Sequence, residues 1–306
     1  YGDFPIITQV YPDRTEELVE ASKRAPRNEV ARFILEDLDR AISMLKSGTA
    51  FNKVRIGKEL AYLVKSRVAL YEGTFEKYHK GTPRVPGEQG WPGADKAYNS
   101  GKSFNIDGEV SFFLTEAMNA AKEVADNHEL TQNTMVINPA INQIYGWNPY
   151  FEMFSMPTPG TLDEVILWRD FDADLSVTHG FMAYIQQGGN NGMTKSYVDA
   201  FLMENGLPIY ASGSGYKGDK TLEDVATDRD NRFRESISIP GDPINSLNNF
   251  TRPGITIVTE NKSTTGYCLR KGLNQDINMG PTLPSNTGCV IFRAAEAYLN
   301  YIEANY

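Results

Sequence analysis

The sequence predicts a mainly α-helical protein, a scaffold of helix pairs with a loop-rich face carrying short strands. Three observations lead there. Apolar residues recur at three- and four-residue steps in several segments before residue 130, the periodicity fades between 131 and 288, and it returns at the end of the chain. In the segment 26–47, Val30, Phe33, Ile34, Leu38, Ala41, Ile42 and Leu45 make one stripe. Pro26 suits a first turn, where its missing amide hydrogen costs nothing, and Gly48 is a natural stop. A second helix is predicted over 56–78, with Ile56, Leu60, Leu63, Val64, Val68, Tyr71 and Phe75 on one face. A third covers 109–127 through Val110, Phe113, Leu114, Ala117, Ala121 and Val124, and a last one covers 290–305 with Ile291, Ala295, Tyr298, Leu299 and Ile302. Packing of these stripes on one another makes Phe33, Leu38, Leu63 and Val68 the expected core. The first two helices lie about 30 residues apart, near the roughly 34-residue tetratricopeptide period, although any helical hairpin gives that spacing.

Residues 80–108 interrupt the helices with Pro83, Pro86, Gly87, Gly90, Pro92 and Gly93 around Trp91, which reads as a surface excursion. Three regions follow: a helical scaffold over 1–130, a loop-rich ligand-facing region over 131–288, and a helix over 289–306 that packs back on the scaffold. Strand-like pieces in the middle region are Glu164-Val-Ile-Leu-Trp168 and Ile255-Thr-Ile-Val258.

At 306 residues the chain can bury one large core or two modest ones, and its ordinary apolar and charged fractions exclude wholesale disorder. A net charge of −9 without a basic face excludes nucleic acid as a partner. No apolar run approaches the roughly 18–20 residues of a membrane span. Cys268 and Cys289 are read as free thiols, with pairing left open.

Motifs of catalysis and cofactor binding fail on inspection. Gly213-Ser-Gly-Tyr-Lys-Gly218 satisfies G-x-G-x-x-G, but Asp219-Lys-Thr-Leu-Glu-Asp follows where a dinucleotide fold needs an apolar helix. Asp219 also stands where a phosphate loop requires lysine. Asp170-Phe-Asp-Ala-Asp174 begins like a calcium loop, yet Leu175 and Phe181 occupy the glycine and glutamate positions, which leaves open only a calcium site of another type. His79, His128 and His179 lack metal-ligand spacing, and two cysteines are too few for a structural zinc. No cofactor or metal is expected, and no catalytic residue is assigned.

A saccharide needs flat apolar faces for its C–H groups and amides for its hydroxyls. Two stretches carry that mixture: Tyr145-Gly-Trp-Asn-Pro-Tyr-Phe151, and His179 to Asn191, where aromatics precede side-chain amides. The candidate binding residues are Trp91, Trp147, Tyr150, Tyr184, Asn190 and Asn191, expected as an exposed aromatic platform flanked by amides. The plainer alternative is that tryptophans are buried for structural reasons and that Asn-rich turns form for backbone reasons. Trp168, alternating with Ile166 on a strand, is assigned to the core.

Four islands occur in a telling order: Tyr1-Gly-Asp-Phe-Pro5, the stretch Tyr197-Val-Asp-Ala-Phe-Leu-Met-Glu-Asn-Gly-Leu-Pro-Ile209, Asp228-Arg-Asp-Asn-Arg-Phe233, and Phe292-Arg-Ala-Ala-Glu-Ala-Tyr-Leu-Asn-Tyr-Ile-Glu-Ala304. Together they resemble the SusD/RagB family of Bacteroidota surface lipoproteins. Arg55-Ile-Gly-Lys58 and Asp163-Glu-Val-Ile-Leu167 resemble further family elements, the first in degraded form. The resemblance implies a tetratricopeptide-like scaffold and a structural role for the 228–233 island. It implies a non-catalytic subunit on the extracellular face of the outer membrane that captures oligo- or polysaccharide for a SusC-like TonB-dependent transporter. Membrane attachment would come only from a lipid anchor outside this chain, which is expected to be an internal portion of a longer protein. A peptide-binding subunit is the alternative, and a glycan-degrading enzyme a more distant one.

Overall fold

The computed structural model describes residues 2–140, 142–187, 191–251, 253, 263–280 and 285–306. Its helices before residue 130 are α1 (Thr15–Ala21), α2 (Arg27–Met44), α3 (Lys58–His79) and α4 (Ile106–Ala125). The middle of the chain carries only short ones: α5 (Pro149–Glu152), α6 (Phe181–Gln187), α7 (Lys195–Ala200), α8 (Leu222–Ala226) and α9 (Asn231–Ser236). The chain closes on α10 (Ala294–Asn305). Two strands, β1 (Val165–Arg169) and β2 (Cys289–Arg293), pair as a two-stranded sheet. The fold is mainly α, with tetratricopeptide-like helix pairs and a loop-rich portion, as the periodicity predicts.

The chain divides into two compact units. The first comprises Tyr1–Leu130, Asp163–Leu167 and Phe292–Tyr306. Within it α3 packs on α2 and α4, and α10 packs on α3 and α4. Gly73 allows the close approach of α3 and α4, because a Cβ there would stand 2.9 Å from the Leu114 side chain and 3.2 Å from its backbone nitrogen. Two apolar clusters result, one of Ala31, Leu35, Ala69, Leu70, Phe113 and Ala117, the other of Leu60, Leu63, Val124, Ile166, Ala294 and Ala297.

The core is shifted from the one expected. Leu63 is inaccessible to solvent, but Phe33, Leu38 and Val68 are only half-buried. On α2 the buried stripe is Val30, Ala31, Leu35 and Ile42, and small alanines rather than large residues line the closest contacts. Ile56 precedes α3 and is exposed, as are Tyr71 and, on α10, Leu299 and Ile302. The expected helix over 290–305 begins four residues late, because Cys289–Arg293 is strand. Its run of β-branched and aromatic side chains suits a ladder better than a helical turn. The expected strand at Ile255–Val258 lies outside the described residues.

Charge, which apolar periodicity does not register, is also buried in this unit. Glu72 and Glu76 are both fully buried on α3. Arg27 meets Glu72 in a two-pronged ion pair, with Nε and Nη2 donating over 2.8 and 2.7 Å, and its guanidinium lies 3.3 Å from the Phe75 ring centroid. The Asp3 carboxylate accepts from the Arg27 backbone amide at 2.9 Å. The aspartate of the first island therefore fastens the start of α2. Burial, followed by the charges of Glu72 and Glu109, pushes the Glu76 carboxyl up to about 8, so that it is protonated at neutral pH and can donate to Glu72.

The second unit comprises Thr131–Leu162 and Trp168–Ile291. Its clusters are Trp147, Phe151, Met182, Ile185 and Leu273, and Val198, Val225, Phe233, Ile237 and Ile239. Its short helices are started by side-chain caps: Asn148 accepts from Phe151, Thr194 from Tyr197, Thr221 from Asp224 and Asp230 from Arg232.

Leu63→Ala should destabilise the folded state by about 2–5 kcal/mol in denaturant unfolding, since the site is closed on every side. A loss under about 1 kcal/mol would contradict the packing described. For Glu76 the folded carboxyl holds its proton above the ordinary value of 4.5 up to about 8. Between these values the unfolded chain has lost a proton that the folded chain keeps, so stability falls as pH rises through that window and levels off above it. Glu76→Gln removes this dependence. The variant should gain stability relative to wild type between pH 5 and pH 8, by an amount on the order of a few kcal/mol. Parallel pH–stability curves for the two proteins would contradict the assignment.

Candidate functional site

The loop-rich unit places the predicted aromatic residues in different environments. Trp147 is 4% exposed, its ring 5.1 Å from that of Phe151 inside an apolar cluster. Its turn is tied down by the Glu152 carboxylate, which accepts from the backbone amides of Gly146, Trp147 and Asn148 at 2.9, 2.9 and 3.0 Å. Trp147 is thus not a stacking surface but the floor beneath one. Trp91, in the first unit, is also 4% exposed. Its indole nitrogen donates to Asp3 at 2.9 Å, and its ring meets Phe104 edge-on at 5.3 Å. A Cβ on Gly93 would lie 2.1 Å from the same ring, so glycine is required there. The Gly/Pro-rich excursion folds back over its tryptophan rather than presenting it.

Tyr184 is 54% exposed. With Phe181, one helical turn earlier on α6 and also exposed, it lines a cavity of about 300 Å3. Asn191 stands at its edge, and Ile185, Met193, Cys268 and Leu269 form its apolar wall. Cys268 and Cys289 are both free, the first buried and the second exposed. Burial pushes the Cys268 thiol up, which makes it a packing residue rather than a nucleophile. Asn190 lies outside the described residues.

Tyr150 is half-buried and lines a different cavity, of about 180 Å3, with Phe151, Tyr197, Phe201, Arg232, Glu235 and Lys271. The single platform expected from Trp147, Tyr150 and Tyr184 is therefore not assembled. One ring is buried and the other two line separate cavities on either side of the 268–271 segment, which contributes Cys268 and Leu269 to the first and Lys271 to the second. Sequence reasoning passed over Phe181, whose three-residue spacing from Tyr184 was a usable signal. It also passed over Lys271, which nothing local distinguishes. A third cavity, of about 400 Å3, is lined by amides including Asn138, Gln143, Asn249 and Gln275.

The 228–233 island serves the framework. Arg229 is buried and donates to the carbonyls of Val198, Phe201, Leu202 and Val225, closing loop against loop. In the first unit, Lys53, Glu59, His128 and Asp163 gather in an arrangement that resembles catalytic machinery. Lys53 donates to the Asp163 carbonyl at 3.4 Å, and His128 Nδ1 lies 3.1 Å from an Asp163 carboxylate oxygen. Burial lowers the Lys53 pKa. The recess lined by Lys53, Glu59 and His128 has no room for a water-sized molecule, so the cluster serves as a brace. Among the described residues no group of three or more His, Cys, Asp and Glu side chains could hold a metal ion.

Trp147→Ala should cost about 3–5 kcal/mol of stability, read as a large drop in melting temperature. Unchanged stability would restore Trp147 as an exposed binding residue.

Comparison with known proteins adds a family match over part of the chain. Residues 163–306 match the SusD family profile. A SusD-like carbohydrate-binding protein from Bacteroides fragilis aligns over 99% of this chain and 50% of its own, with a TM-score of 0.55 and 14% identity. The structure of BT4246, solved as selenomethionine protein, aligns over 100% of this chain and 60% of its own, with a TM-score of 0.55 and 17% identity. A SusD superfamily protein from Parabacteroides distasonis aligns with a TM-score of 0.47 and 15% identity, over 99% of this chain and 50% of its own. At these identities the likeness to the first two structures establishes the fold alone, and the chain spans 50 and 60% of their lengths. No curated protein shows significant similarity to this chain.

Proposed function

We propose that this chain, whose residues 163–306 match the SusD family profile, is a glycan-capturing part of a cell-surface uptake system. It binds oligo- or polysaccharide without cleaving it and hands it to a TonB-dependent outer-membrane transporter. The whole protein would sit on the extracellular face of the outer membrane, held by a lipid. No described helix is long and apolar enough to cross a membrane.

The observation that carries this reading is the exposed pair Phe181 and Tyr184 over an apolar cavity with the Asn191 amide at its rim. Sugar rings present C–H faces that stack on such aromatics and hydroxyls that an amide both donates to and accepts from. The rings stand on α6, whose Met182 and Ile185 are sunk in the Trp147 cluster. The surface is therefore held in place before ligand arrives, which lowers the entropy cost of binding.

Calorimetric titration against a panel of oligosaccharides, with released reducing ends assayed in parallel, tests the proposal. Binding without turnover is expected. Tyr184→Ala should weaken binding by roughly thirtyfold, about 2 kcal/mol, with the melting temperature unchanged. Steady release of reducing ends that a point substitution in this chain abolishes would contradict it, and so would binding confined to peptides.

A further inference from the structure

The cavity beside Tyr150 differs in chemistry from the one beside Tyr184. Its walls are aromatic, from Tyr150, Tyr197 and Phe201, but two cations also line it, Arg232 and Lys271. That runs against the trend of a chain whose net charge is −9.

The two cations are held differently. The Lys271 ammonium donates to the Tyr150 hydroxyl at 3.1 Å and lies 3.9 Å from the Phe154 ring centroid. Among the described residues it has no carboxylate within ion-pair distance. Arg232 gives Nε and Nη2 to Asp230, but its Nη1 has no hydrogen-bond partner among the described residues. The one acidic residue in the lining, Glu235, is buried, and its two oxygens are taken by the side-chain amides of Asn148 at 3.0 Å and Asn133 at 3.1 Å. With Asp230 paired to Arg232, Lys271 is the lining cation left without a carboxylate partner among the described residues.

We propose that this cavity seats an anionic substituent of the captured saccharide, a carboxylate or a sulfate ester, between Arg232 and Lys271. The inference rests on the saccharide-binding reading and narrows it to acidic glycans. At about 180 Å3 the space suits one charged sugar rather than an oligomer. The remaining guanidinium edge and the ammonium supply charge-assisted donors beside three aromatic walls. The neighbouring cavity, on the other side of the 268–271 segment, takes a ring by stacking and has no cation in its lining. The two differ in the group they select.

The test titrates the whole chain with an oligogalacturonide tetramer, a sulfated galactan tetramer and a neutral galactan tetramer, at about 50 mM and about 500 mM salt. At low salt at least one acidic ligand should bind ten times more tightly than the neutral one, or better, and the advantage should shrink at high salt. Comparison of the carboxylate and sulfate arms identifies the anion. Arg232→Gln and Lys271→Gln should each remove most of that advantage and leave neutral binding unchanged, whereas Lys271→Arg keeps it. Arg232 is surface-exposed, so its variant should fold even if that of Lys271 does not. Equal affinity for acidic and neutral ligands, or an advantage that survives Arg232→Gln, overturns the anion site alone. Failure of every saccharide to bind overturns the glycan reading as well.

Discussion

Arg270 is fully buried, and much of the loop-rich unit is organised around its charge. This unit has little backbone ladder to satisfy its amides and carbonyls, and buried backbone groups without partners are costly. Side chains substitute for the ladder. Arg270 donates to the carbonyls of Arg234 and Ile137, and the Asp242 carboxylate lies 3.5 Å away as its counter-charge. Burial pulls the guanidinium down to about 10, still well above neutral pH, so it remains charged inside the protein. Arg229 binds four carbonyls in the same manner, and Glu152 gathers three amides in the turn before α5. The segment that carries Arg270 also supplies walls to both candidate cavities, so this buried ion helps position their lining.

The helical unit uses the same device more sparingly. Arg27, Glu72 and Asp3 link the start of the chain to α2 and α3, and Trp91 joins them through Asp3. Removing one partner of such a pair leaves a buried charge uncompensated, which is far more damaging than the pair is stabilising. The aspartate of the first island and the arginine of the third are therefore explained by framework demands.

Those demands also mark where sequence reading succeeds and where it stops. The bodies of α2, α3 and α4 were legible because apolar residues at helical spacing imply a buried stripe. Which residues sit deepest was not, because alanines and Gly73 set the closest contacts, and buried Lys65 and Glu72 gain their partners from distant segments. The strand at Cys289–Arg293 was taken for helix because a short apolar run fits either period. In the candidate site, Tyr184 and Asn191, nominated as an aromatic followed by amides, line one cavity. Trp147 and Trp91 were misplaced because their burial depends on Phe151, Asp3 and Phe104, contacts that no local pattern encodes. Lys271 was invisible for the same reason: its setting is made by Tyr150 and Phe154, more than a hundred residues away.

The central claim is that ligand is held by the loop-rich unit, on the cavities flanking the 268–271 segment. Hydrogen–deuterium exchange with and without a saturating oligosaccharide addresses it without altering a residue. The account predicts slowed exchange in peptides covering 181–193 and 268–273, with helices α2 to α4 unchanged. Protection confined to residues 1–130, or none in the loop-rich unit at saturation, would contradict it.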